Sequence, residues 1–170
     1  MQPLANTDGQ RILAVDDDPA ILELITTRLT LAGYQAFAAR DGRQAVERIE
    51  GIRPAAMILD LNMPVLDGFG VLQHLRDHPQ RRVPTLVLTA RHGAADVQRA
   101  LGLGARDYLA KPFEDRKFLM RVSRLLRKPS EIAQKSNSDV FAEMDALMAD
   151  SASSARSRPV VRLPDLSTEV

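Results

Sequence analysis

The 170-residue chain has no cysteine, which excludes disulfides, thiolate metal sites and cysteine nucleophiles together and suits a reducing compartment. It has no real excess of charge. Lys and Arg number 23 against 22 Asp and Glu, and the formal +1 that remains is too small a field to draw nucleic acid or a membrane surface. No apolar run approaches the roughly 20 residues that span a bilayer. The opening MQPLANTDGQR lacks a basic segment followed by a long apolar one, so no secretory leader is expected. These absences together predict a cytoplasmic protein without membrane contact.

What is present is a regular alternation. Hydrophobic residues at 45% and charged residues at 26% are the mix of a globular protein, and the length suits one domain of roughly 100 to 200 residues. From Arg11 to Lys128, five short apolar runs alternate with longer stretches of helical spacing. The runs are RILAV (11–15), QAFAA (35–39), AAMILDL (55–61), VPTLVLT (83–89) and DYLA (107–110). Such alternation predicts repeated strand and helix units over a parallel sheet, with several strands apolar on both faces because helices cover both sides.

The helices carry their own stop and start signals. Between the first two runs, Leu22, Ile25, Leu29 and Ala32 share one face, Asp18 stands as N-cap, Pro19 takes the first helical position and Gly33 stops the helix. The next helix runs from an Asp cap to Gly51 with Ala45, Val46 and Ile49 inward, and the third offers Phe69, Leu72 and Leu75 before Pro79. A fourth, GAADVQRALGLG, is closed early by two glycines, and a fifth turns Phe118, Val122, Leu125 and Leu126 inward.

The organisation expected is an N-terminal extension over 1–10, a domain over 11–128 and a linker and tail over 129–170. The tail is low in aromatics and rich in small polar residues. Within it, Val140, Phe141, Met144, Leu147 and Met148 line one side of a short helix over 139–149. A helix of that length is marginal alone in water, so the leading expectation is a marginal helix in a disordered tail, with a docking segment as the alternative.

In a doubly wound sheet, functional groups gather at the carboxyl ends of the strands, near the reversal of strand order. Those ends hold Asp16 and Asp17 after the first strand, Asp60 at the third, Thr89 after the fourth and Lys111 after the fifth. Clustered carboxylates repel unless a hard divalent cation takes their oxygens, and Mg²⁺ is the usual choice beside phosphate. Lys111 adds a point charge for a phosphoryl oxygen and Thr89 a hydroxyl donor. With a carboxylate as nucleophile, this set suits phosphoryl transfer. A carboxylate ending the run AAMIL is costly when unpaired, which favours a functional Asp60 over a simple turn cap. Asp67 and Gly68 read as turn and helix-cap chemistry, and His74, His78 and His92, which show no metal-ligand spacing, as surface residues.

The motifs VDDD (15–18), LDLNMPVLDG (59–68), LTA (88–90) and GARDYLAKPF (104–113), in this order at successive strand ends, resemble the receiver domain of two-component response regulators over about two thirds of the chain. The resemblance implies a CheY-like, flavodoxin-like (βα)5 fold of three layers with parallel strand order 2-1-3-4-5. It also implies that Asp60 accepts a phosphoryl group from a phosphohistidine on a sensor histidine kinase or a histidine phosphotransfer protein. Asp16, Asp17, Asp60 and the main-chain carbonyl of Asn62 would hold Mg²⁺. Thr89 and Lys111 would bind the phosphoryl oxygens, Tyr108 would act as an aromatic switch between exposed and buried positions, and Lys111-Pro112 would be a cis peptide. Asn62 and Arg91 would tune access of hydrolytic water.

Output is expected through the face formed by the fourth helix, fifth strand and fifth helix, toward a downstream protein target. Asp107 and Arg121 stand where receivers that dimerise make a charged pair, while Val97, Lys117 and Arg106 depart from the pattern of such faces, so a homodimer is left open. The 43 residues after Arg127 lack the periodicity of a helix-turn-helix domain, and no direct nucleic acid binding is expected. Two alternatives remain: a haloacid-dehalogenase-like phosphohydrolase with Asp16 and Asp18 as its aspartate pair, and the receiver module of a truncated multidomain regulator.

Overall fold

Burial on both faces of the central strands dictates the architecture. The computed structural model describes residues 9–90 and 93–127. Strands β1 (Arg11–Val15), β2 (Gln35–Ala39), β3 (Ala56–Leu59), β4 (Thr85–Thr89) and β5 (Asp107–Ala110) form one parallel sheet in the order β2-β1-β3-β4-β5. Between and after them run α1 (Pro19–Leu31), α2 (Gly42–Ile52), α3 (Gly68–Asp77), α4 (Ala94–Gly102) and α5 (Asp115–Leu125). This is the doubly wound, flavodoxin-like arrangement expected, with the order reversing between β1 and β3.

Alternation along the strands sorts side chains to two cores. Ile12, Ala14, Ile58, Leu86 and Leu88 meet Leu22, Ile25 and Leu29 of α1 and Phe118, Val122 and Leu125 of α5. The intervening Leu13, Val15, Met57, Leu59 and Val87 are also buried, and period two sends them to the opposite face. Completely burying a Leu or Ile side chain is worth about 1.5–3 kcal/mol, so the β1–β3–β4 centre supplies much of the stabilisation and gives the site a rigid floor.

Where boundaries differ from expectation, the reason is local. β3 ends at Leu59, although the Asp60 N–H still bonds the Val15 carbonyl and so holds Asp60 at the strand's edge. β4 begins at Thr85, since Pro84 has no N–H to give to the ladder. α2 runs through Gly51 to Ile52 and ends with Arg53 in the left-handed region at φ 48°, the Arg53 N–H donating to Ile49. Pro54 next in sequence disfavours α-helical geometry at Arg53, and this stops the helix where Gly51 does not. A 3₁₀ turn over Pro79–Arg81 follows α3 and was not foreseen. Val46 and Ala32, expected inward, are half-buried, Ala32 as the C-cap of α1 packed against the core.

The expected helix over 139–149, most of the N-terminal extension and Lys128 lie outside the described residues.

Candidate functional site

Three strand ends and their loops converge at the carboxyl edge of the sheet. β1 delivers Asp16, which is 1% exposed, and the neighbouring Asp17, which is open to solvent. β3 delivers Asp60, 6% exposed. The carboxylates of Asp16, Asp17 and Asp60 bring oxygens within 4.8 Å of one another. From β5, Lys111 reaches across with Nζ 2.5 Å from Asp16 Oδ2 and 3.3 Å from Asp60 Oδ2. Two of the three carboxylates therefore share one ammonium.

The electrostatics leave a deficit of donors. Burial pushes the Asp16 carboxyl above its usual range, and this outweighs the hydrogen bond from Lys111 and the N–H of Asp18. Asp60 Oδ1 is buried with no hydrogen-bond partner among the described residues. A buried anionic oxygen left bare in this way costs free energy, and a divalent cation with oxygen ligands supplies the missing charge. The residues present thus fit a hard cation: all donors are oxygens, two are buried, and one is orphaned.

Asp18 is not part of this nest. Its carboxylate accepts from the N–H groups of Ala20, at 2.8 Å, and Ile21 and caps α1, as expected from its place before Pro19. That geometry also removes the Asp16 and Asp18 pair on which the phosphohydrolase alternative relied. Asp67 likewise caps α3 through the Gly70 N–H at 2.8 Å.

The loop after Asp60 is held from both sides. The Gly68 N–H donates to Leu61 and the Gly42 N–H to Leu66. Leu66 N–H also turns back to Pro64 O at 2.8 Å around Val65, whose φ of 69° makes a strained γ-turn for a β-branched residue. Asn62 lies exposed within this loop. A Cβ on Gly68 would run into the carbonyl oxygen of Asp60, and one on Gly42 into that of Leu66. The cap at Asp67 and Gly68 is legible in the sequence, but the close approach at both glycines is not, because no local pattern reveals which backbone a distant segment will touch.

Thr89 is completely buried at the end of β4, and its carbonyl accepts from the Lys111 N–H at 2.9 Å. The Lys111-Pro112 bond is cis, as the resemblance implied. Tyr108 is inward, 8% exposed, and burial pushes its phenol upward, with Asp96 adding to the effect. Arg91 and His92 lie outside the described residues.

Asp107 and Arg121, expected at a dimer face, are both buried, and within the chain Arg121 Nη1 lies 2.5 Å from Asp107 Oδ1. Arg124 adds a second contact at 2.7 Å to Oδ2, so α5 is tied to the start of β5. His74 and His78 are half-buried rather than free surface residues, because i and i+4 on the end of α3 bring their rings to 4.2 Å in a stack.

A doubly wound sheet with a carboxylate nest at its switch point sets a candidate cation site where folds of this class bind their ligands. The chain belongs to the response regulator receiver domain family, whose pattern it matches over residues 12–123. It is 41% identical over 136 residues to the response regulator MprA of Mycolicibacterium vanbaalenii, covering 79% of this chain and 58% of that protein. Among solved structures it resembles chemotaxis protein CheY4 of Vibrio cholerae, at 34% identity and TM-score 0.66, over 69% of this chain and 99% of the other. It also resembles the receiver domain of sensor histidine kinase PA1611 from Pseudomonas aeruginosa, which holds a magnesium ion in its active site cleft, at 37% identity and TM-score 0.64, over 69% and 98% of the two chains. The chain spans about half the length of the curated relatives it matches. Among the described residues, no helix is long and apolar enough to cross a membrane.

Proposed function

We propose that Asp60 accepts a phosphoryl group from a phosphohistidine on a sensor histidine kinase or phosphotransfer protein. The observation that carries this is the bare, buried Oδ1 of Asp60 beside Lys111 and two further carboxylates. An Asp60 oxygen attacks phosphorus, the bond from phosphorus to the donor imidazole nitrogen breaks, and its electron pair returns to the imidazole. Asp16, Asp17, Asp60 and the Asn62 carbonyl would hold Mg²⁺, which neutralises charge on the transferring group. Lys111 takes a phosphoryl oxygen as its partner in exchange for a carboxylate, and Thr89 donates its hydroxyl to another. The domain promotes its own phosphorylation and slow hydrolysis and acts on no separate substrate.

The product carries roughly −1.5 to −2 charge where one negative charge stood. Drawing Thr89 toward the new anion changes the space beside Tyr108 and with it the face of α4, β5 and α5. That face is read by a downstream protein target, with a homodimer through it as a second use of the same surface. Cytoplasmic placement follows from a donor of this kind.

Acetyl phosphate or beryllofluoride with Mg²⁺ should modify the protein once, at Asp60, and Asp60→Asn should remove the adduct in intact-mass spectra. Phosphate incorporation that survives Asp60→Asn would overturn the assignment. Phosphotransfer profiling against histidine kinases of the source cell then finds the donor.

A further inference from the structure

The amino edge of the sheet, opposite the acidic nest, carries charge of the other sign. Gln10, Ala55, Thr85 and Arg106 stand at or just before the starts of β1, β3, β4 and β5, and around them opens a cavity of about 640 Å³. Its apolar wall is formed by the half-buried Val83, Pro84, Leu103 and Leu126 over the buried Leu72, Leu75 and Leu125, and its charged lining residues are Arg76, Arg82, Arg106 and Arg127. A second cavity of about 640 Å³ shares Arg82 and Val83 with the first and adds Arg53 and Arg81. Its one acid, Glu50, is already bound to Arg81.

Six arginines thus line the two cavities, with Glu50 the one acid among the lining residues, in a chain whose formal net charge is only +1. Arg106 gives a hydrogen bond to the Leu125 carbonyl at 3.3 Å, and Arg76 reaches Gln73 and lies 3.8 Å from the Asp77 carboxylate. The side chains of Arg82 and Arg127 are exposed and have no hydrogen-bond or ion-pair partner among the described residues. Gathering like charges is unfavourable until an anion joins them, and the planar fork of arginine matches a carboxylate in bidentate fashion. The apolar walls add a second requirement. A compact anion would satisfy one cavity and leave the half-buried Val83, Leu103 and Leu126 uncovered, and nucleic acid would offer phosphates but little to cover that wall. An extended peptide with carboxylates spaced by apolar side chains satisfies both.

We propose that this arginine-rimmed edge docks an acidic, apolar-faced segment of a partner protein. Strands of four and five residues separate it from the acidic nest by roughly 15 Å, so docking and phosphorylation occupy different ends of the sheet. The partner would then be held whether or not Asp60 is modified.

The test is fluorescence anisotropy of the full chain with a dye-labelled peptide alternating Glu and Leu, beside labelled poly-Glu and single-stranded DNA. Binding of the Glu/Leu peptide should exceed both others. It should weaken by about tenfold or more in Arg82→Glu with Arg127→Glu, and stay unchanged in Arg43→Glu, an exposed arginine of α2 outside both cavities. Circular dichroism and retained beryllofluoride labelling would show the double variant folded. Asp60→Asn should bind the peptide as the parent does, which separates this proposal from the phosphoacceptor reading. Absence of binding, tighter binding of DNA, equal binding of poly-Glu, or an equal loss in Arg43→Glu would each overturn it.

Discussion

Asp60 and Asp107 are both buried carboxylates at strand ends, and the fold treats them in opposite ways. Asp107, 3% exposed, is saturated: Oδ1 accepts from the Tyr108 N–H and from Arg121, and Oδ2 accepts from Arg124. Asp60 has one oxygen facing Lys111 at 3.3 Å and another with no hydrogen-bond partner among the described residues. A buried charge whose bonds are complete ties elements together, here β5 to α5. A buried charge left short of donors stores free energy that a cation or a transferred group can release. Satisfaction, rather than burial, separates the architectural carboxylate from the chemical one.

The largest test of that contrast is Asp107→Ala, which takes the carboxylate away from the buried Arg121 and should lower unfolding free energy by about 3–5 kcal/mol in urea titration. Asp60→Asn should lower it little or raise it. Equal losses from both would break the comparison.

Asp16→Asn probes the nest itself. Mg²⁺ affinity, read by calorimetry, should fall by more than the roughly 10- to 100-fold typical of outer-shell changes. Metal-free stability should also change its pH dependence. Because the folded Asp16 carboxyl titrates above its unfolded value of 3.8, the native state binds more protons just above that pH, and the contribution of Asp16 to stability declines as pH rises through the window. The variant should lack this decline; if the slope persists, Asp16 is not its source.

Glycine substitutions sharpen the view of how the loop is held. Gly68→Ala should slow labelling by beryllofluoride, since its Cβ meets the Asp60 backbone, whereas Gly51→Ala, with open space around its Cβ, should stabilise by about 0.5–1 kcal/mol and leave labelling alone. The smallest effect concerns His74, whose imidazole is held below its usual value of 6.5 by burial first and then by His78 and Arg81. Its contribution is present above pH 6.5 and lost as pH falls toward the lower folded value, so His74→Gln should flatten thermal stability between pH 7 and 5.5.

Much of this was legible in the chain. Each functional side chain sits at the end of an apolar run, and strand period plus helix caps place those ends without coordinates, as Asp18 and Asp67 show. The stacking of His74 on His78 was hidden because four residues of spacing tell which face two rings share but not how deeply that face is buried. The closed Asp107 and Arg121 pair was hidden too, since residues 14 apart reveal nothing of whether a contact is made within a chain or between two.

By itself the amino-acid order determined the strand and helix units, their caps and the kit of groups at the sheet's carboxyl edge, because these depend on period and on neighbours a few residues away. Only the tertiary structure decided which carboxylate oxygen stays bare, which glycine presses on the Asp60 backbone and that six arginines share one edge. Those outcomes depend on distances between segments far apart along the chain, and packing alone sets such distances.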